Sequence, residues 1–510
     1  MSTYSEIASV GVVGTGVMGR GIMQLFAQAG FTVRFFDAAG DSVPEAQDFV
    51  SAMLDRQAQK GRMSAEAAAD AKANLLPCEA LEDLAPCDVV IEAIVERTEA
   101  KQGLFQDLES IVPPTTILAT NTSSLMVAEI AQPLSHPERV AGLHFFNPVP
   151  LMKVVEVIAA VRTATGVVER LAEAVTRTGH RAVTTVDQPG FLVNHAGRGL
   201  LTEGLRVLEE QVADVETIDT LMREAGGFRM GPFELLDLTG LDVSGKVLTS
   251  IYGQFFHEPR FRPSSLVTPR VAAELFGRKT SEGWYRYDED GAKITTGPIP
   301  TPSIELTGKT VWIDPAGADS AAIASLVEQA GARIVGEDDG KALCVVQPWG
   351  HDASTTAAEL SLDAARTVAL DPLPGLDRHR TVMLTAATAA TYRDIAHALF
   401  ASDGTAVSVV GDSPGFVVQR VLAAIVNVAS EIAGRGIATP ADIDAAVRLG
   451  LGYPAGPLAM GEALGAVRVR EILENQFKVT GDPRYRPSLW LRRRAQLGLP
   501  LDAAAPARSG

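Results

Sequence analysis

The chain has 510 residues, enough for three or four domains of ordinary size. Apolar residues at 46 % and charged residues at 21 % exclude a disordered, collagen-like or coiled-coil chain. The formal charge of −17 excludes a general nucleic-acid binder, yet a phosphorylated ligand can still be held where a helix N-terminus gathers N–H groups.

Cys78, Cys87 and Cys344 form no CxxC pair, so neither a disulfide scaffold nor a cysteine zinc site is expected, and no metal is assigned. No basic-then-apolar leader opens the chain and no run of 18 apolar residues follows. The expected location is the cytoplasm, away from membranes.

Ile7 to Val13 is a short apolar run rich in β-branched residues and reads as a buried strand. It leads into Gly14-Thr15-Gly16-Val17-Met18-Gly19. A helical pattern follows from Arg20 to Ala29 and stops at Gly30, and a second strand spans Phe31 to Phe36 before Asp37. In this order GxGxxG is a dinucleotide loop. Gly14 permits the tight turn, Gly16 lets the backbone approach a pyrophosphate, and Gly19 allows close helix–strand packing. Asp37 can accept from both ribose hydroxyls, which favours NAD over NADP. Further strands are expected at Val89–Val95, before Glu96, and at Ile117–Thr120, before Asn121. Strands alternating with helices imply a doubly wound parallel sheet of Rossmann type, with ligands beyond the strand C-termini.

Arg139–Phe145 and Lys153–Ile158 read as strands around a turn containing Asn147, Pro148 and Pro150. If they pair antiparallel about position 150, paired numbers sum to 300 and His144 faces Glu156. A carboxylate beside an imidazole prepares a general base. The same pair could be a satisfied core histidine in an ordinary hairpin, and the assumed register leaves both readings open.

The stretch from Gly142 to Val157, together with Asn121-Thr-Ser-Ser-Leu125 and Asp187-Gln-Pro-Gly-Phe-Leu-Val-Asn194, resembles the L-3-hydroxyacyl-CoA dehydrogenases over about residues 7–290. The resemblance implies oxidation of the 3-hydroxyl of an acyl-CoA by NAD⁺. It implies His144 as general base and Glu156 as its orienting carboxylate, with Ser123 and Asn194 bonding the reacting oxygen region. Gly14, Gly16, Val17, Met18, Gly19, Asp37, Ala93, Glu96, Lys101, Ser123 and Asn147 match positions near the cofactor. Ser123 read by itself could instead cap the following helix. His195 departs from the arginine usual in the family. Arg56, Lys60 and Arg62 read equally well as a solvated helix face, so no CoA contact is assigned.

Helices are expected at Val193–Leu208, Val215–Glu224 and Phe233–Tyr252, and a linker at Thr295–Ser303, which contains Pro298, Pro300 and Pro302. Beyond it the chain repeats. Asp187–Asn194 recurs as Asp412–Gln419, Ile218-Asp219 as Ile443-Asp444, and Gly231-Pro232 as Gly456-Pro457, each 225 residues on. Val311–Ser320 echoes the first strand and loop 301 residues on, so the copy is shorter by 76 residues. Pro315 and Ser320 replace two loop glycines. Aligning Asp371-Pro372 with Asn147-Pro148 puts the position of His144 on Val368, that of Glu156 on Thr381 and that of Asn194 on Gln419.

The expected architecture is an NAD-binding α/β Rossmann domain (1–186), an all-α domain (187–294), a degenerate Rossmann-like segment without cofactor (305–408) and a second all-α domain (409–500). The second helical domain would supply an internal pseudo-dimer partner, with a homo-oligomer of such chains also open. Two-repeat members resemble bacterial enzymes of butyryl-CoA or phenylacetate catabolism, which implies 3-hydroxybutyryl-CoA or 3-hydroxyadipyl-CoA as substrate. The alternatives are a non-catalytic NAD-binding structural protein of this fold and a Rossmann dehydrogenase of small hydroxy acids.

Overall fold

The computed structural model describes residues 6–297 and 299–504, so Pro298 of the linker lies outside the described residues. The chain forms two compact units. The first runs to His195 and adds Arg435–Leu451; the second holds Ala196–Gly434 and the chain from Gly452 onward.

The first unit is built on β1 (Ser9–Val13), α1 (Val17–Gln28), β2 (Thr32–Phe36), α2 (Ser42–Gln59), α3 (Ala65–Ala73), β3 (Leu75–Pro77), β4 (Val89–Glu92), α4 (Thr98–Ile111), β5 (Ile117–Thr120), α5 (Val127–Ala131), β6 (Val140–Phe145), β7 (Val154–Ala159), α6 (Thr165–Arg177), β8 (Arg181–Val186) and the short α7 (Val193–Ala196). Its sheet has the order β3-β2-β1-β4-β5-β6-β7-β8. β7 runs antiparallel to β6, and β8 runs parallel to β7. The order reverses between β1 and β4, which opens a crevice at the strand C-termini. Apolar side chains cover both faces, so β4 and β5 are buried along their whole length.

β4 is shorter than the expected Val89–Val95. The Glu92 carboxylate accepts from the Ile94 N–H and turns the chain out of the sheet.

The second unit begins with α8 (Arg198–Glu209), α9 (Val215–Thr220), α10 (Pro232–Thr239), α11 (Leu241–Gln254) and α12 (Val267–Ala272). The single helix expected over Phe233–Tyr252 is broken at Gly240, whose φ of 85° lies in the left-handed region. The short β9 (Arg286–Tyr287) and β10 (Lys293–Ile294) precede the second sheet.

That sheet has the order β12-β11-β13-β14-β15-β16, from β11 (Thr310–Ile313), β12 (Arg333–Val335), β13 (Leu343–Val346), β14 (Thr367–Leu370), β15 (Arg380–Leu384) and β16 (Val407–Val410). Around it lie α13 (Ser320–Gln329), α14 (Ala353–Glu359) and α15 (Ala390–Phe400), and then α16 (Val418–Gly434). α17 (Pro440–Leu451) belongs to the first unit, and α18 (Pro457–Leu464), α19 (Ala466–Thr480) and α20 (Leu489–Leu497) to the second.

The missing stretch of the copy can be located. Asp412 accepts from the Ala353 N–H at the start of α14, just as Asp187 accepts from Ala128 in α5. Arg366 reaches the Ala342 carbonyl as Arg139 reaches that of Thr116. β13 is therefore the counterpart of β5. It pairs directly with β11, and the counterparts of α2, α3, β3, β4 and α4 are gone.

The register also corrects the expected position of His144 in the copy. Thr381 pairs with Ser408 as Glu156 pairs with Val183, and the Asp371 N–H bonds the Thr381 carbonyl. Asp371, not Val368, stands opposite Thr381. The shared Pro misleads because Asp371 and Thr381 are two residues closer in sequence than His144 and Glu156.

Helices α8 and α16 pack so closely that a Cβ on Gly199 would stand 2.7 Å from the Ile425 Cα. Beside this contact the buried Glu203 receives Arg420 at 2.5 Å, the Tyr485 hydroxyl at 2.7 Å and Arg484 at 3.3 Å. Burial pushes the Glu203 carboxyl up, but the two guanidinium groups outweigh it and hold it below the usual range. Contacts recur reciprocally. Arg260 donates to the Arg486 carbonyl and Arg484 to that of Arg262, while Phe228 stacks edge-on with Tyr453, its own repeat counterpart. Among the described residues no helix is long and apolar enough to cross a membrane.

Candidate active site

All sequence-predicted site residues fall in the first unit. The glycine loop bridges β1 and α1. Gly14 has φ 98°, and a Cβ there would lie 2.6 Å from the Ala93 carbonyl oxygen. A Cβ on Gly19 would strike the Gly14 carbonyl, whereas nothing lies within 4 Å of one on Gly16. The open face at Gly16 coincides with the start of α1, which no side chain caps. Exposed Val17 and half-buried Met18 form the first turn. This is a cradle for a pyrophosphate, and the residues present fit a dinucleotide. Asp37 accepts from the Thr15 N–H at 2.8 Å and the Thr15 hydroxyl at 3.0 Å, so it braces the loop from the end of β2.

Glu96 gathers the loop after β5. It accepts from the Thr122 hydroxyl at 2.7 Å and from the Ser123 and Ser124 N–H groups at 3.0 and 3.2 Å. Burial pushes the Glu96 carboxyl up, but Thr122, Lys101 and Ser123 outweigh burial and hold it below the usual range. Lys101 is itself buried, 2.6 Å from Glu92 and 3.2 Å from Glu96. Ser123 lies on the exposed loop with its Oγ 3.5 Å from Glu96. It does not cap α5, which starts four residues later.

Sequence reasoning missed Glu92, whose other oxygen accepts from the Thr120 hydroxyl at 2.7 Å. The available signal was a carboxylate inside an apolar strand, nine residues before a lysine.

β6 and β7 pair with His144 opposite Glu156, as the sum of 300 requires. His144 Nδ1 lies 2.5 Å from Glu156 Oε2. Glu156, fully buried, also accepts from the Leu192 and Val193 N–H groups at 2.8 and 2.7 Å. These amides follow Phe191, which is held at φ 48° and packs on the His144 ring. Phe146 flanks the same ring at 4.4 Å. Among the described residues Nε2 meets no hydrogen-bond partner. With Nδ1–H directed to the carboxylate, Nε2 carries the lone pair and can take a proton.

Asn121 closes the floor by accepting from the Phe145 N–H. Asn147 is exposed on the turn after β6, Ala93 forms the wall against Gly14, and Asn194 is half-buried in α7 beside the buried His195. The exposed Arg56, Lys60 and Arg62 lie along and just after α2.

A dinucleotide cradle and an oriented imidazole carried on one sheet define a nicotinamide-dependent dehydrogenase of hydroxyl groups. Comparison with known proteins narrows the class. The profile of the 3-hydroxyacyl-CoA dehydrogenase NAD-binding domain matches residues 9–188, and that of the C-terminal domain of the same family matches residues 190–287 and again 415–504. The chain belongs to the 3-hydroxyacyl-CoA dehydrogenase family and is an NAD-dependent oxidoreductase.

It is 37 % identical to the 3-hydroxyadipyl-CoA dehydrogenase of Escherichia coli K12, over 96 % of this chain and 98 % of that one. The crystal structure of a 3-hydroxybutyryl-CoA dehydrogenase from E. coli K12 superposes with a TM-score of 0.86 at 35 % identity, covering 97 % of this chain and 99 % of that one. The 3-hydroxybutyryl-CoA dehydrogenase of Bradyrhizobium diazoefficiens is 37 % identical over 98 % of its own length but only 58 % of this chain.

Proposed function

We propose that this chain oxidises the 3-hydroxyl of a short L-3-hydroxyacyl-CoA to the ketone in the cytoplasm, with His144 as general base. The observation that carries this reading is the His144–Glu156 pair. Its Nδ1 side is bound to a carboxylate that two backbone N–H groups also hold, and its Nε2 side is left for the substrate. Nε2 takes the hydroxyl proton, Glu156 stabilises the imidazolium that forms, and Ser123 and Asn194 orient the reacting oxygen. Gly14, Gly16, Val17, Met18, Gly19, Asp37, Ala93, Glu96, Lys101 and Asn147 hold the dinucleotide. When bound, NAD⁺ supplies the two-electron acceptor.

The names of the relatives point to 3-hydroxybutyryl-CoA or 3-hydroxyadipyl-CoA. Initial rates on 3-hydroxyacyl-CoAs of increasing length, with and without a terminal carboxylate, test the choice. The account expects a preference among C4 to C6 thioesters, and equal rates on long chains would contradict it.

The proposed division is 1–186, 187–294, 305–408 and 409–500, with the third part a structural remnant. Its loop is closed by its own residues, since Gln347 bonds the Asp319 N–H and carboxylate where a cofactor loop stays open. The fourth part acts as the internal pseudo-dimer partner of the second. The reciprocal Arg260–Arg486 and Arg484–Arg262 bonds and the α8–α16 contact support this. Any homo-oligomer would be built from such chains, and no nucleic acid or membrane enters the function.

A further inference from the structure

Arg435–Leu451 belongs by sequence to the second repeat yet packs within the first unit. α17 turns Ile443, Ala446, Val447 and Gly450 to one side, at the spacing of a helix face, and the three apolar side chains are fully buried. The helix is pinned to β8. Buried Asp442 receives Arg181 at 2.8 Å and the Thr184 hydroxyl at 3.2 Å. Just ahead of the helix the Ile437 carbonyl accepts from the Val186 N–H at 3.1 Å and the Thr185 hydroxyl at 3.3 Å. β8 in turn lies beside β7, with Val183 against Glu156.

At the other end of α17, a Cβ on Gly450 would stand 3.0 and 3.1 Å from the two methyls of Val193 and 3.4 Å from Val154. Glycine within a helix costs about 1 kcal/mol relative to alanine. The residue that turns the chain after this helix is Gly452, at φ 68°, so Gly450 has no turn to make. The position 225 residues earlier carries Ala225. Close approach to Val193 is the remaining reason for glycine here. Val193 is the residue whose N–H bonds Glu156 at 2.7 Å, and Val154 lies on β7 two residues from Glu156.

We infer that α17 is a positioning element for the reacting pair of the first repeat. Gly450 lets Val193 seat so that its N–H, with that of Leu192, holds Glu156 against His144. The second repeat thus serves the site it no longer duplicates. The inference rests on the assignment of His144 as base.

The test uses the full-length Gly450→Ala and Gly450→Val enzymes, assayed with 3-hydroxybutyryl-CoA and NAD⁺ across pH 5.5–9, with NADH binding followed by fluorescence. The expected kcat falls about 3–10-fold for alanine and about 10–100-fold for valine, as displacements well under 1 Å cost catalysis. The acid limb of kcat/KM moves to lower pH because Glu156 supports the imidazolium less squarely, while NADH affinity stays within about twofold. Adding Val193→Ala to Gly450→Ala restores both kcat and the limb.

A folded Gly450→Val enzyme with the parent kcat and limb overturns the inference, as does an activity loss that merely tracks lost folded protein with the limb unmoved. If Gly450→Val does not fold, Asp442→Asn loosens the same helix from its other end and should move the limb the same way; an unmoved limb overturns the inference. His144→Gln is run alongside. Turnover in that variant removes the base assignment itself, whereas a dead His144→Gln beside a silent Gly450→Val removes only the role of α17.

Discussion

His144 and Glu156 can be read from the sequence because they sit on two strands joined by one turn. A single assumption about the turn centre then fixes which side chains meet. His144→Gln should lower kcat by about 10²–10⁴ with NADH affinity retained, the usual size of a general-base effect; stopped-flow and steady-state rates that stay near normal would contradict the assignment. Asp37 braces Thr15 at the end of β2, and the proposed function gives it the ribose, so Asp37→Ala should weaken NAD⁺ binding and raise the relative kcat/KM with NADP⁺. An unchanged ratio would place discrimination elsewhere. The Glu92–Lys101–Glu96 chain was not legible. Glu92 looks like a strand-interior residue, and nothing in the spacing says that a helix will turn Lys101 inward to 1 % exposure. The role of Glu96 in gathering Ser123 and Ser124 likewise depends on the path of a loop, which periodicity does not describe.

At the level of elements, the β-α-β order around the glycine loop and the strands at Ile117, Val140 and Val154 follow from apolar runs of the right length. The misses have local causes. Glu92 ends β4 early by bonding Ile94, Gly240 splits one expected helix into two, and the closer sequence spacing of the paired positions around the β14–β15 turn defeats alignment by its proline. Register is set by neighbouring strands, and those are not visible from a motif.

The shift of the His144 position to Asp371 has a measurable consequence. Burial pushes the Asp371 carboxyl up to about 6 despite its bonds to Leu373 and Gln419. The folded protein then carries a proton there that the unfolded chain has lost. Stability from this group is complete below about pH 4 and falls as pH rises to about 6, by about 3 kcal/mol at most. Thermal unfolding between pH 4 and 7 should show that fall in the parent and a flatter profile in Asp371→Asn. Identical slopes would mean that Asp371 is ionised throughout.

For the chain as a whole, the repeat accounts for its length. One repeat retains His144, Glu156, Asn194 and the open glycine loop; the other has lost the counterparts of α2, α3, β3, β4 and α4 and carries Asp371, Thr381 and Gln419 at the positions of the three side chains. What the second repeat keeps is helical surface, locked by Arg420 on Glu203. Arg420→Met should cost up to about 3–5 kcal/mol by taking from buried Glu203 the nearer of its two guanidinium partners, a loss that calorimetry would show as a lowered Tm. A chain ending near residue 294 should aggregate or self-associate, and a stable, fully active monomer on size-exclusion chromatography would contradict the pseudo-dimer reading.

The central claim is oxidation of a 3-hydroxyacyl-CoA through His144. It is tested most directly by NADH formation from 3-hydroxybutyryl-CoA, from 3-hydroxyadipyl-CoA and from free 3-hydroxybutyrate, in the parent and in His144→Gln. The account predicts NADH from at least one thioester, none from the free acid, and a rate in the variant about 10²–10⁴ lower. Oxidation of the free acid at a comparable rate, or a variant as active as the parent, would contradict it.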